Sequence, residues 1–161
     1  MKRNYKLWHK EERGDILAKV LKLFVSKSKD AERESVPEAV FVPTEGVEGD
    51  DLHHGSLHAA SFLADESLKR IADLGLVGLC SRRFYANIVT TGISMFDLQV
   101  GDEFTIGEVS FAIKKTGKRC FKDKDCAIYN SPHDCILHNE AVFADILEGG
   151  TVYVGDKIIV P

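Results

Sequence analysis

With 161 residues, 44% hydrophobic, 29% charged and 9% aromatic, the chain has the make-up of one soluble globular domain. A chain of this length buries enough surface to fold without disulfides or a structural metal, so its cysteines are free for chemistry. A balance of 21 Lys and Arg against 25 Asp and Glu, net −4, argues against dedicated nucleic-acid binding. No run reaches the roughly 18 apolar residues of a membrane span, and the first 15 residues lack the apolar stretch of a secretory signal. A cytoplasmic protein with neither nucleic-acid nor membrane partners is expected. In that reducing compartment Cys80, Cys120, Cys126 and Cys135 read as thiols, metal ligands or reactive sulfurs before structural disulfides.

Residues 1–35 carry ten basic and six acidic side chains, whereas the remainder carries 11 and 19. Residues 1–14 show no period and read as an N-terminal extension, leaving residues 15–161 as the domain. Alternation begins at Asp15, with Ile16, Ala18 and Val20 on one side, and a second β-rich run covers residues 36–42 before Pro43. A helix is expected over 65–74, with Asp65 as N-cap, Leu68, Ile71 and Ala72 on one face and Gly75 past its end. Further strands are expected over 87–91, 103–106, 109–114, 151–154 and 157–160, separated by Gly-containing turns. A second helix is expected over 139–147, where Val142, Phe143, Ile146 and Leu147 recur at three- and four-residue steps before Gly149-Gly150. Many short strands with close turns, and no βαβ alternation, predict a mainly β fold: a closed barrel of short strands carrying a few peripheral helices.

Three constellations could carry chemistry. The stretch from Gly46 through Asp51, His53 and His54 to Gly55 combines glycines that admit a close ligand with groups that bind anions or metals; as a pattern alone it also suits a solvated turn. Arg82 and Arg83 precede a segment whose Asn87, Thr90 and Thr91 are polar amid apolar neighbours, and a guanidinium suits phosphate as well as it suits solvent. Around Cys120 stand Lys114, Lys115, Lys118, Arg119, Lys122 and Lys124, a surround that favours a thiolate and makes Cys120 the foremost nucleophile or metal ligand. Cys126 and Cys135 follow at intervals of five and eight intervening residues, which is not the spacing of a zinc ribbon but leaves zinc open as an alternative cofactor, with or without His138. Cys80, after Leu76, Val77 and Leu79, reads as a buried small apolar residue.

Taken in this order, the three constellations resemble the MOSC family, named for the C-terminal domain of molybdenum cofactor sulfurase, in its short bacterial single-domain type. Residues 46–55 are similar to the family's Gly-Asp-x-His-x-Gly loop, and residues 84–92 (FYANIVTTG) to its Phe-x-Glu-Asn-Ile-Thr-Thr-x-Gly segment. Residues 98–107 resemble its Gly-x-x-Leu-x-Ile-Gly turn. Gly117 to Cys120, Cys126 to Tyr129, Asp134 to Leu137 and residues 140–150 resemble the signature of the short type. The resemblance implies a closed MOSC-type β-barrel and a role with the molybdenum cofactor, molybdopterin with its metal. It implies that Cys120 carries sulfur or ligates molybdenum, with Cys126 or Cys135 resolving a persulfide. His53, Asp51, Gly55, Arg82, Arg83, Asn87, Thr90, Thr91, Lys118 and Arg119 would line the pocket. Implied activities are sulfur transfer or reduction of N-hydroxylated compounds at the cofactor; the alternatives are a non-catalytic carrier of the cofactor or of an oxyanion, and a zinc-stabilised interaction module. Implied partners are cofactor-biosynthesis proteins, molybdoenzymes or a cysteine desulfurase. The pyridoxal phosphate binding attached to the family belongs to a desulfurase domain that these 161 residues do not contain. The chain departs from the pattern in four places. Asp50 is surplus when Asp51 to Gly55 is aligned, Ala59-Ala60 stands for Arg-Gln, Ala86 for Glu, and Phe121 for His.

Overall fold

The computed structural model describes residues 17–28, 31–51, 59–76, 78, 80 and 86–161. Among the described residues, eleven strands and two helices follow in the order β1 (Lys19–Val25), β2 (Glu34–Val36), β3 (Glu38–Val42), β4 (Gly46–Val47), β5 (Ala59–Ala64), α1 (Asp65–Asp73), β6 (Ile88–Thr91), β7 (Glu103–Ile106), β8 (Val109–Thr116), α2 (Ile136–Glu140), β9 (Val142–Glu148), β10 (Gly150–Tyr153) and β11 (Ile158–Ile159), with a 3-10 turn at Met95–Asp97. The extension at 1–14 lies outside the described residues. No described helix is long and apolar enough to cross a membrane.

The mainly β expectation holds, and the closed barrel does not. Eight strands form one open sheet in the order β11-β7-β8-β9-β5-β6-β1-β2, and β10-β3-β4 form a second. The two flanks of the larger sheet approach at an isolated bridge between Lys19 and Lys157, where the Val20 amide donates to the Asp156 carbonyl at 2.9 Å. The Ile158 amide donates to the Ala18 carbonyl and the Gly155 amide to the Val20 carbonyl, both at 2.9 Å, but the contact remains a single isolated bridge.

Phenylalanines join the two sheets. Phe104 and Phe111 stack at 5.2 Å, Phe62 meets both edge-on, and Phe41 from β3 meets Phe111 at 5.6 Å and 82°. All four rings are 0–1% exposed. Such edge-to-face pairs add about 0.5–1.5 kcal/mol each beyond the area they bury.

Two-sided burial explains where the sequence pattern misled. All six residues of β5 are buried: Ala60 and Phe62 face the main core, Ala59 and Leu63 a second cluster under α1. A strand covered on both faces has no alternation to read. β5 then pairs parallel with β6 after α1, so the fold does contain one β-α-β crossover. The helix expected over 139–147 is instead α2 at 136–140 followed by β9, in which Val142, Ala144 and Ile146 face the main core while Phe143 faces the second cluster. Four consecutive buried residues, 141–144, imitate a helical stripe by chance of composition. The run at 36–42 divides into β2 and β3 at Pro37, which cannot donate to a ladder.

Helix α1 lies where the sequence places it, but Ala64 is the N-cap and makes no side-chain cap bond. Asp65 and Glu66 sit in the first turn, where the helix dipole favours them, and Asp65 pairs with Lys69 at 2.8 Å. That hydrogen bond, with the attraction of its charge, raises the Lys69 pKa. Gly75, at φ 62°, supplies the left-handed residue that ends the helix.

A buried polar network ties four segments. Asn87, 3% exposed, accepts at Oδ1 from the Ser61 amide (3.1 Å) and hydroxyl (2.9 Å), while Ser61 Oγ accepts from the Asn87 amide (2.9 Å). Asn87 Nδ2 donates to the Asp50 carboxylate and to the Phe24 carbonyl, and the Ser26 amide donates to Asp50 Oδ1 at 3.2 Å. Replacing Asn87 by Ala takes one donor from the buried Asp50 carboxylate and one acceptor from Ser61. Asn87→Ala is expected to lower unfolding free energy by about 3 kcal/mol, read from the denaturant midpoint, and Ser61→Ala added to it to cost less than its own single effect.

Candidate functional site

Chain elements converge on the segment that leads to Cys120. β8 ends at Thr116, and Gly117 turns the chain at φ 81°. The Gly117 amide donates to the Ala141 carbonyl at 2.6 Å, the Lys118 amide to the His138 carbonyl at 3.1 Å, and His138 Nδ1 donates to the Lys118 carbonyl at 2.6 Å. Helix α2 and the residue after it therefore hold the two residues before Arg119-Cys120. Glu140 fastens α2 to α1: its Oε2 accepts from Ser67 Oγ at 2.5 Å and pairs with Arg70 at 2.5 Å. At the N-terminal end of α1, Glu66 Oε1 accepts from Thr91 Oγ1 (2.9 Å) and the Gly92 amide (3.0 Å). One strut thus runs from the β6 end through α1 and α2 to the Cys120 segment.

Cys120 is half-buried, and its Sγ accepts from the Lys122 amide at 3.4 Å. Lys122 adopts φ 53°, a conformation costly for a residue with a Cβ by about 1 kcal/mol, which that turn sustains. The cations spread rather than crowd the sulfur. Lys114 pairs with Asp145 at 2.8 Å, and Arg119 and Lys118 lie over the ring of Phe121, which is 68% exposed. Lys118 Nζ donates to Cys80 Sγ at 3.4 Å. Cys80 is accordingly not the inert buried residue expected: it is half-buried, packs on the second cluster alongside Cys135, and takes the ammonium expected at Cys120. None of the four cysteines forms a disulfide. Cys126 lies beside Gly78, where an added Cβ would stand 3.6 Å from its sulfur.

The other expected site residues divide. His53, Gly55, Arg82 and Arg83 lie outside the described residues. Asp51 is exposed, while Asp50, surplus in the sequence alignment, is the buried member that reaches Asn87. Asn87 spends both side-chain atoms inside the protein, and Thr91 is engaged by Glu66. Thr90 is fully buried with its hydroxyl unpartnered. The described start of the first constellation lines a cavity of about 160 Å³ with Val42, Glu45, Gly46, Val47, Glu48 and Gly49, whose acidic rim does not suit an anion. Among the described residues no three His, Cys, Asp or Glu side chains converge to hold a metal ion, so the zinc arrangement finds no support there. Residues the sequence reading passed over are Glu66, Ser67, Arg70 and Asp50. Contacts between residues 70 or more positions apart, such as Ser67 and Arg70 with Glu140, leave no local signal.

A family model, the MOSC domain, matches residues 49–134, a stretch containing Asn87 to Gly92, Cys120 and Cys126. The chain belongs to the MOSC domain family. Among solved structures, the YuaD protein from Bacillus subtilis is similar with a TM-score of 0.67 at 17% identity, over 89% of this chain and 94% of that one. YiiM from Geobacillus stearothermophilus gives a TM-score of 0.59 at 13% identity (89% and 75% covered), and YiiM from Escherichia coli 0.53 at 14% (89% and 69%). At these identities the likeness is one of fold. Among curated proteins none matches the chain. Membership associates this MOSC chain in general terms with the molybdenum cofactor.

The sharpest steric demand at the site is at Gly117, where a Cβ would stand 2.5 Å from the His138 carbonyl oxygen. Gly117→Ala is expected to destabilise the fold by about 2 kcal/mol or more and to expose Cys120 to alkylation, measured by thermal unfolding and thiol labelling together.

Proposed function

We propose that this MOSC protein binds the molybdenum cofactor through Cys120 and serves either sulfur transfer to the cofactor or reduction at it. The observation that carries the reading is the placement of Cys120. A half-buried thiol, held by a backbone amide on a segment fastened to two helices, stands next to Lys118 and Arg119. Soft sulfur suits a soft metal, and the two cations suit the phosphate of molybdopterin. The fit is one-sided. The loop offers thiol and charge, whereas the strand side, Asn87 and Thr91, spends its polar atoms on the scaffold.

In this reading Cys120 supplies the sulfur, as a carried persulfide or as a metal-ligating thiolate, and Lys118 and Arg119 neutralise the anion. His53, Asp51, Gly55, Arg82, Arg83 and the Thr90 hydroxyl complete the pocket; Cys126 or Cys135 attacks the Cys120 sulfur of the persulfide, so that a disulfide forms as the outer sulfur leaves at the sulfide level to its acceptor. When bound, the cofactor supplies the metal at which sulfur is received or electrons are delivered. Proteins that make or use the cofactor, or a cysteine desulfurase, would be its partners in the cytoplasm.

Metal analysis and pterin fluorescence on protein purified anaerobically from a cofactor-producing host test the reading. Molybdenum and pterin are expected in the wild type and lost in Cys120→Ser; full retention in the variant would remove Cys120 as the anchor, and absence from both would remove the cofactor.

A further inference from the structure

Residues 117–120 follow the last residue of β8 without regular structure, yet Lys118 is held at three points. Its amide donates to the His138 carbonyl (3.1 Å), its carbonyl accepts from His138 Nδ1 (2.6 Å), and its ammonium reaches Cys80 Sγ (3.4 Å). One residue, His138, thus engages both backbone polar groups of another, two positions before Cys120. A carbonyl can only accept, so Nδ1 carries the proton and the ring's orientation is set. The imidazole is exposed, so it contributes little to the packed core around it. What it does touch is the segment that aims two thiols.

We propose that His138 is a positioning residue of the Cys120 site. Its ring fixes the Lys118 peptide, which places the Lys118 ammonium on Cys80 and Cys120 against the Lys122 amide. The geometry stands on the contacts above; its consequence for activity rests on the function proposed for Cys120. Small displacements of a reacting group cost far more in chemistry than in stability, which is why a surface histidine can matter here. Glu140 backs the device by holding α2 to Ser67 and Arg70.

Thiol labelling of the full chain tests this without any cofactor. Wild type, His138→Ala and His138→Asn are treated with iodoacetamide, and adducts at each cysteine are quantified by peptide mass spectrometry, with Cys126 as internal reference. Losing one hydrogen bond is expected to raise labelling of Cys120 and Cys80 about fivefold relative to Cys126 in His138→Ala. His138→Asn, whose amide nitrogen can take the place of Nδ1, is expected to return both to wild-type rates. Unchanged labelling in His138→Ala, an equal rise at Cys126, or no restoration by His138→Asn would overturn the proposal. A wild type free of molybdenum and pterin would instead defeat the function proposed above and leave the labelling result standing.

Discussion

A carboxylate can be taken out of water when fixed donors replace its hydration, and the described part of this domain is organised around one such group. Asp50, 2% exposed, receives the Asn87 side-chain amide and the Ser26 backbone amide. Asn87 then spends its other atom on Ser61, in the middle of β5. Four segments distant in sequence, the β1 end, the turn after β4, β5 and the approach to β6, are fixed by this arrangement. A network of this kind is costly when half-satisfied and specific when complete. Its position also changes the meaning of Asn87. The side chain that motif similarity points toward a ligand pocket is a hub of the scaffold.

Around the hub the apolar layers are two-sided. β5 and β9 each present one face to the phenylalanine core and the other to the smaller cluster beneath the helices. This double coverage is what lets short helices matter. α1 and α2 sit on the second cluster, and through Glu66, Glu140 and the Gly117–His138 contacts they connect the β6 end with the cysteine-bearing segment. Motif stretches 25 to 73 residues apart in sequence therefore become one mechanical unit.

The cysteine loop is where charge and sulfur meet, and the structure redistributes both. The Lys118 ammonium stands on Cys80, the Lys118 and Arg119 cations lie over the exposed Phe121 ring, and Cys120 takes a backbone amide. Cation–aromatic contacts keep the positive charges close to the loop surface without neutralising them. The Cys126 thiol lies beside Gly78, and Cys135 packs on the second cluster.

Periodicity and turn chemistry determined much from the sequence by itself. α1, β6 to β8 and the Gly-punctuated turns lie close to where the residues place them, because those elements have one covered face or a local breaker. The order of motifs identified the family, and the cations over 114–124 singled out Cys120 as a candidate. Tertiary structure alone decided the rest. Burial on both faces erases alternation, so β5 went unseen and β9 read as helix. Closure of a barrel depends on long-range edge pairing, which no local pattern encodes, and the sheet stays open. Which of Asp50 and Asp51 is buried, and which thiol receives Lys118, are outcomes of packing between distant segments, since charge density along a chain fixes neither direction nor partner.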